Sequence, residues 1–169
     1  MERGLYVGRF QPFHLGHLKA VKYCLERVQE LTIAIGSAQL NHEPNNPFTI
    51  GERMLMIRTA LTDAKVDPKR WQLIPILDAR AHHAWTSWVE ILVPRYDIVF
   101  TNDPLTTRLF REKHVMVEEI SLLDREIFSA TEVRRRIARN EDWKKLVPPS
   151  IARIIEKIDG ISRISDFGR

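Results

Sequence analysis

The sequence predicts an α/β protein in which helices flank a parallel sheet. The first observation is a β-α-β unit: apolar residues 5–7 precede a stretch of helical periodicity, and a second apolar run follows at residues 31–35. Neighbouring parallel strands need a crossover of this kind. The second observation is that the second run is almost continuously apolar, which is typical of strands buried on both faces. Short apolar runs and helical patterns then alternate along the rest of the chain.

The segment after the second strand is predicted to be an irregular loop. Residues 37–47 contain Pro44, Pro47 and several amide side chains, which disfavour regular structure. In open α/β sheets, ligands bind beyond the carboxyl ends of the strands, where such a loop lies. A helix is expected to follow from Thr49, because Glu52 three residues later completes the pattern of a capping box.

The later elements follow from short apolar runs and from helix start and stop signals. Pro75 cannot donate a hydrogen bond to a neighbouring strand, so it is expected in an edge strand or at a strand end. Residues 78–86 are predicted to be a polar segment before the next helix. The other expected elements are a strand at 71–77, a helix around 88–92, a strand at 97–101, a helix to about 113, a strand at 114–120, a helix at 129–140 and a final helix at 151–158 that Gly160 ends.

Size and composition indicate a soluble globular protein. All 169 residues are expected to form one domain, with a helical segment at about 129–160. We find neither a run of about 20 apolar residues nor a signal-peptide pattern, so we expect a cytoplasmic protein without a membrane partner. The net charge of +4 favours anionic partners. Cys24 lies among apolar helix positions, which favours a buried thiol over a catalytic one.

Polar residues between the first strand and the first helix predict a phosphate site. Arg9, Gln11, His14 and His17 fall in this turn, where unpaired N–H groups and the helix dipole favour an anion. The two histidines are three residues apart, so on a helical turn they face one side. Gly16 between them would let a ligand approach the backbone closely.

The histidine pair also has two other interpretations. A zinc site would need further Cys or His ligands, and none follows at metal-ligand spacing. The second alternative is a pair of capping or surface histidines without a function in chemistry.

Residues 8–17 read Gly-Arg-Phe-Gln-Pro-Phe-His-Leu-Gly-His, and this run resembles the signature of the HxGH nucleotidylyltransferase superfamily. The Gly-Arg-Phe-Gln-Pro form is typical of its archaeal nicotinamide-nucleotide adenylyltransferases. The resemblance extends to residues 36–39, to residues 46–49 and 51–53, and to Ser-Ala-Thr-Glu-Val-Arg-Arg-Arg at 129–136. It therefore covers nearly the whole chain.

The resemblance implies a Rossmann-like fold of the nucleotidylyltransferase type. It implies that nicotinamide mononucleotide (NMN) condenses with ATP to give NAD and pyrophosphate, with nicotinic-acid mononucleotide as an alternative acceptor. The NMN phosphate would attack the α-phosphate of ATP in line, without a covalent enzyme intermediate. A divalent cation, usually Mg²⁺, and a homo-oligomer, often a hexamer, are implied as well. No nucleic-acid partner is expected.

The resemblance also assigns roles to individual residues. His17 is the first choice for stabilising the transition state at the α-phosphate, and His14, Arg9 and Arg134 complete the expected catalytic set. The expected ATP contacts are Gly8, Arg9, Phe10, Gln11, His14, Gly16, His17, Ser129, Thr131 and Arg134.

Arg134 has both a functional and a structural interpretation. It lies one turn into a helix that is expected to start at a Ser or Thr cap, and its planar fork suits phosphate oxygens. The alternative is a solvated basic face formed with Arg135 and Arg136. The opening motif favours the phosphate role for Arg134 only, because its two neighbours point to other sides of a helix.

The expected NMN contacts lie in residues 78–85. Trp85 would stack on the cationic nicotinamide ring, and Asp78 would accept a hydrogen bond from the carboxamide. The alternatives are a Trp85 that packs in the core and a ligand role for Trp88 instead.

Two stretches depart from the pattern of the family. His82 stands where members often carry Asn, and the neighbouring His83 has no assigned role. Asn102-Asp103-Pro104 stands where relatives tend to have Gly-Asn-Pro, which leaves the adenosine contacts open.

Two other functions are considered. Pantetheine-phosphate and flavin-nucleotide adenylyltransferases share HxGH, but they usually carry Thr-Phe-Asp where this chain has Arg9-Phe10-Gln11. A non-catalytic domain that binds nucleic acid is supported only by the pI of about 9.4 and by the run of arginines at 134–136.

Overall fold

The structure, a computed structural model, describes residues 2–79, 82–120 and 128–167, and of His82 and His83 only the backbone. The strands are β1 (Arg3–Gly8), β2 (Glu30–Ile35), β3 (Trp71–Pro75), β4 (Ile98–Phe100) and β5 (Met116–Glu118). The helices are α1 (Leu15–Leu25), α2 (Ile50–Asp63), α3 (His82–Leu92), α4 (Pro104–Glu112), α5 (Ala130–Ala138), α6 (Pro149–Lys157) and α7 (Gly160–Phe167).

The strands form one parallel sheet in the order β3-β2-β1-β4-β5. Tyr6 in the central strand β1 lies opposite Ile33 of β2 on one side and Phe100 of β4 on the other. The strand order reverses at β1, so the carboxyl ends of β1 and β4 form the kind of crevice where open α/β sheets bind ligands. The predicted α/β fold with a parallel sheet is confirmed.

The described chain divides into two compact units, each built from separate stretches. Unit 1 comprises Met1–Arg9, Ala20–Ala38 and Asp67–Ser121 and contains the sheet. Its core is formed by buried side chains from strands and helices, namely Leu5, Ala34, Ile76, Val89, Val93, Val99 and Phe110. Unit 2 comprises Phe10–Lys19, Gln39–Val66 and Leu122–Arg169, and in it α2 and α7 each pack against α6. That residues 1–169 form one domain stays a prediction.

Several local predictions are confirmed. Thr49 and Glu52 form the expected capping box at the start of α2. Pro75 is the last residue of β3, which is an edge strand. Cys24 is fully buried, and burial raises the pKa of its thiol. None of the described helices is long and apolar enough to cross a membrane.

Two local predictions are wrong. The helix expected around residues 88–92 already begins at His82, so Trp85 is helical rather than part of an irregular segment. Gly160 does not end the last helix but begins α7. The break falls at Asp159, which adopts φ 57°, the left-handed conformation common after a helix end. The helical segment near the end of the chain therefore extends to Phe167.

Candidate active site

A cavity of about 570 Å³ in unit 1 lies at the carboxyl ends of the central strands. Gly8 ends β1, Gly36 follows β2 and Thr101 follows β4, and all three line the cavity. The Gly36 N–H donates to the Gly8 carbonyl at 2.9 Å, which joins the two strand ends. Arg9 also lines this cavity. The cavity thus occupies the position where this sheet topology favours a ligand.

Trp85 lines the cavity and also contacts the core of unit 1. Its ring meets Phe110 edge to face, with 6.1 Å between the centroids and 77° between the planes. One indole therefore supports α3 and borders the cavity, so the core interpretation and the ligand interpretation are compatible. Trp88, the competing candidate, is 45% exposed and does not appear among the described residues around the cavity.

Asp78 borders the same cavity and accepts a hydrogen bond from Ser37. The distance from Ser37 Oγ to Asp78 Oδ1 is 3.1 Å. Ser37 adopts a left-handed φ of 50° in the turn after β2. Sequence reasoning gave Ser37 no individual role, although it belongs to the Gly-Ser-Ala-Gln run that carries the resemblance.

Asp103, in the stretch that departs from the pattern of the family, caps α4. Its Oδ2 atom accepts hydrogen bonds from the N–H and the hydroxyl of Thr106, both at 2.8 Å. Asp103 and Thr106 line the cavity as well. The carboxylate therefore fixes the start of a helix that forms one wall of the cavity.

In unit 2, His14 and His17 cap α1 together. The His14 N–H donates to Nδ1 of His17, and the His17 N–H donates to Nδ1 of His14, both at 3.3 Å. The two rings stack with 3.6 Å between their centroids. This is the geometry of a capping box, with histidines in both positions. Because each Nδ1 accepts a hydrogen bond, the proton of each neutral ring is on Nε2.

Both histidines are neutral at pH 7. Burial lowers the pKa of His14 to about 3. Burial, and to a smaller extent the neighbouring His14, lowers the pKa of His17 well below its ordinary value of 6.5. Phe10 and Phe13 pack against His17, with centroid distances of 4.8 and 5.4 Å. The pair can therefore offer two Nε2–H donors without a formal positive charge.

Gly16 gives the His14 ring room to lie against the first turn of α1. A Cβ atom at this position would be 3.0 Å from Cε1 and Nδ1 of His14 and 3.1 Å from Cβ of Phe128. A side chain at position 16 would therefore crowd the His14 ring, and the close approach of a ligand to Gly16 stays a prediction.

Gln11 links the histidine-containing run of residues 8–17 to other parts of unit 2. It is 2% exposed, and its amide forms two hydrogen bonds of 2.9 Å with the N–H and the carbonyl of Phe48. The sequence suggested that Gln11 and Phe10 contact ATP. The structure instead commits the Gln11 amide to the backbone and leaves Phe10 only 1% exposed. That either residue contacts ATP stays a prediction.

Arg134 lies against the same motif. Its Nη1 donates to the Gln11 carbonyl at 2.8 Å, and its Nη2 donates to Oδ1 of Asn45 at 3.3 Å. Sequence reasoning brought Arg134 to the motif through the resemblance alone, and it missed Asn45, which lies in a loop without a periodic signal. The two bonds fix the plane of the guanidinium.

The start of α5 separates Arg134 from the arginines that follow it. Ser129 accepts a hydrogen bond from the Glu132 N–H at 3.1 Å and caps the helix, as expected. Arg135 and Arg136 both pair with Glu132, and these pairs lower the pKa of that carboxyl to about 2. They form ion pairs within the helix, while Arg134 is buried. Thr131, an expected ATP contact, is exposed.

Two comparisons of sequence bear on this geometry. A family model described as cytidylyltransferase-like matches residues 5–136. The nicotinamide-nucleotide adenylyltransferase of Methanolobus tindarius is 43% identical over 169 residues, which cover 100% of this chain and 96% of the relative. That of Thermococcus kodakarensis is 46% identical over 164 residues, which cover 97% and 87%. The chain belongs to the nicotinamide-nucleotide adenylyltransferases.

Solved structures show the fold of this adenylyltransferase family member independently. A bifunctional NMN adenylyltransferase/ADP ribose pyrophosphatase from Francisella tularensis, complexed with AMP and a manganese ion, matches with a TM-score of 0.79 at 22% identity. The match covers 99% of this chain and 52% of that one. Nicotinic acid mononucleotide adenylyltransferase of Plasmodium falciparum, complexed with NaAD, matches with a TM-score of 0.67 at 14% identity and covers 95% and 97%.

Some expected site residues of the adenylyltransferase lie outside the description. Within residues 78–85, Arg80 and Ala81 fall outside the described ranges, as do the side chains of His82 and His83. Among the residues that the structure does describe, no group of three or more His, Cys, Asp or Glu side chains is arranged to hold a metal ion.

Proposed function

We propose that the protein transfers the adenylyl group of ATP to NMN, giving NAD and pyrophosphate. The observation that carries this proposal is the geometry of unit 2: two histidines with fixed Nε2–H donors start α1, and Arg134 is bound to the same motif through Gln11. A helix start, neutral donors and a buried arginine together suit a phosphate chain. The sequence relatives carry the name of this activity.

In the proposed reaction, an oxygen of the NMN phosphate forms a bond to the α-phosphorus of ATP. The bond from that phosphorus to the bridging oxygen breaks, and pyrophosphate leaves with the electron pair. The donors of His14 and His17 would stabilise the charge that develops at the α-phosphate, and Arg134 and Arg9 would neutralise the triphosphate. Positioning and preorganised charge account for such catalysis without a protein nucleophile.

The cavity of unit 1 supplies the proposed acceptor site. Trp85 would stack on the cationic nicotinamide ring, an interaction worth about 0.5 to 2 kcal/mol. Asp78, oriented by Ser37, would accept a hydrogen bond from the carboxamide. In this proposal, Trp85 and Asp78 contact the acceptor and not ATP. Changes at these residues should therefore alter the preference for the acceptor without altering the contacts with the ATP phosphates.

The described donors fit a divalent cation only in part. Asp78 and Asp103 are the described carboxylates that line the cavity, and Asp103 already caps α4. We expect Mg²⁺ to be held mainly by phosphate oxygens and water, which is its usual mode with nucleotides. When bound, it would neutralise charge on the pyrophosphate.

The decisive test is product formation. Purified protein with NMN, ATP and MgCl₂ is expected to form NAD and pyrophosphate in equal amounts, measured by an NAD-dependent dehydrogenase and a pyrophosphatase assay. Phosphopantetheine, FMN and nicotinic-acid mononucleotide are offered in parallel. No NAD over a broad range of pH and temperature would overturn the proposal, and faster turnover of phosphopantetheine or FMN would reassign the acceptor.

We also propose a homo-oligomer, with a hexamer as the state that the resemblance suggests, and a cytoplasmic location. Light scattering on the purified protein measures the number of copies in the assembly. A monomer at the concentration used for assays would contradict the first part.

A further inference from the structure

The segment of residues 45–49 is held by three different parts of unit 2. Asn45 accepts a hydrogen bond from Arg134, and Phe48 exchanges two hydrogen bonds with the Gln11 amide. The third contact is made by Arg163 of α7, the helix that the sequence did not predict. This segment therefore connects two proposed phosphate-binding elements to the last described helix.

Arg163 makes a bidentate ion pair with Glu52. Its Nη1 donates to Oε2 at 2.8 Å, and its Nη2 donates to Oε1 at 3.0 Å. The two side chains are only 18% and 19% exposed, so the pair is shielded from water more than a surface pair. The Nη1 group also donates to the Pro47 carbonyl at 3.0 Å.

Glu52 transmits this contact to the start of α2. Its Oε2 atom, which accepts from Arg163, also accepts from the Thr49 N–H at 2.8 Å. Arg163 thus contacts the segment on both sides of Phe48. It binds the Pro47 carbonyl directly, and it reaches the Thr49 N–H through Glu52. Phe48 thus lies between two backbone groups that are both hydrogen-bonded.

Gly160 allows α7 to approach Phe48 closely. A Cβ atom at this position would be 2.9 Å from Cε1 of the Phe48 ring and 3.0 Å from the carbonyl oxygen of Ile155. The Arg163 guanidinium lies 6.0 Å from the centroid of the same ring. Helix α7 therefore contacts both the backbone and the side chain of the segment.

We propose that Arg163 is a positioning residue for the phosphate-transfer site, acting through the 45–49 segment on Gln11 and Arg134. The backbone of Phe48 binds the side-chain amide of Gln11. The backbone carbonyl of Gln11 in turn accepts the hydrogen bond that orients Arg134. Gln11 precedes His14 by three residues, so its bonds to Phe48 also position the chain where it enters the histidine capping box. The inference rests on the proposed function, and Arg163 lies outside the region that the family model matches.

Arg163→Lys and Arg163→Met test the proposal. Lysine keeps the charge but cannot span both Glu52 oxygens and Pro47, and methionine removes the charge as well. We expect kcat per folded molecule to fall about 10-fold for lysine and about 100-fold for methionine, because small displacements of catalytic groups are costly. The KM values for ATP and NMN should both stay within about threefold, because a positioning residue does not itself contact either substrate.

A second measurement does not depend on turnover. The Phe48 N–H, which donates to Gln11, should exchange with solvent at least about 10-fold faster in Arg163→Lys, because the segment opens locally. If the wild type forms no NAD, the proposed function fails, and this exchange rate still decides whether Arg163 holds the segment.

Arg153→Lys and Arg153→Met are the matched controls, because Arg153 is an exposed arginine of the neighbouring helix α6. Neither should change kcat or the exchange of Phe48. Three results would overturn the proposal: a lower melting temperature with unchanged kcat per folded molecule, unchanged exchange at Phe48, or a higher KM for one substrate alone, which would indicate a direct contact.

Discussion

His14 and His17 each donate a backbone N–H to the Nδ1 atom of the other, so one pair of side chains starts α1 and fixes its own tautomers. In the usual capping box, Ser or Thr pairs with Glu, and the ionised Glu side chain can only accept hydrogen bonds. Histidine adds a second ring nitrogen. Each ring can therefore cap the helix through Nδ1 and bind a phosphate through Nε2–H, so the capping and phosphate interpretations are compatible.

Replacing His17 by asparagine should separate these two uses. The asparagine Oδ1 atom occupies the place of Nδ1 and keeps the cap, but the Nε2–H donor is lost. We expect His17→Asn to keep the part of the free energy of unfolding that the cap supplies and to lose only the packing of the ring against Phe10 and Phe13. The kcat should fall about 100- to 1,000-fold, as when one donor to a transition-state oxygen is removed.

His17→Ala is the companion variant, because it removes both the cap and the donor. It should show a similar loss of kcat and a further loss of about 0.5 to 2 kcal/mol of stability in urea unfolding. Turnover of His17→Asn close to that of wild type would show that the Nε2–H group has no role in the reaction.

Acid should destabilise the protein through the histidine pair. In the unfolded chain the rings gain protons below pH 6.5, whereas the folded chain keeps His14 neutral to about pH 3. The unfolded state then binds more protons, so stability falls as the pH falls, by up to about 1.4 kcal/mol per pH unit for each histidine. Well above pH 6.5, where the unfolded rings are neutral as well, the pair contributes no pH dependence.

The measurement is the urea midpoint at about pH 7 and about pH 5 for wild type and for the double variant His14→Asn/His17→Asn. The double variant retains both capping acceptors but has no ring to titrate, and it should lose less stability on acidification. Equal losses in the two proteins would assign the acid sensitivity to carboxylates such as Glu52, whose pKa is lowered in part by its bonds to Arg163.

Arg134 and Arg135 are adjacent in sequence but should differ in their importance for turnover. Arg134→Lys removes the fork that binds the Gln11 carbonyl and Asn45, and we expect kcat to fall about 100-fold. Arg135→Lys disturbs only pairs with Glu132 and Glu141 and should keep kcat within about threefold. Steady-state kinetics of both variants decide this, and similar losses would support a general basic face instead.

Trp85→Leu should weaken the binding of NMN more than that of ATP. Leucine fills part of the space beside Phe110 but has no aromatic face for a cationic ring. The KM for NMN should rise about 2- to 30-fold, while the KM for ATP changes little. Trp88→Leu, on the exposed side of the same helix, is the control. Equal changes of both KM values would identify Trp85 as a packing residue only.

Local signals explain most of what could be predicted from the sequence. The β-α-β start, the Thr49–Glu52 capping box and the position of Pro75 each depend on residues close together in the chain, and all are confirmed. The start of α3 was misplaced because polar and histidine residues there hide the helical period.

The features that could not be predicted from the sequence mostly depend on contacts between residues far apart in the chain. Gln11 and Phe48 are 37 residues apart, and Arg163 lies 111 residues from Glu52. No spacing rule links such pairs, so the bonds between Gln11 and Phe48 and the contacts of the 45–49 segment with Arg163 became visible only in the folded chain. In the same way, the reciprocal histidine cap needed the ring orientations.

Both outer strands of the described sheet are poor templates for a further strand. In β3, Pro75 lacks an N–H group, and β5 spans only Met116–Glu118. Backbone pairing between sheet edges of two molecules is therefore disfavoured, and this protects the protein from edge-to-edge aggregation.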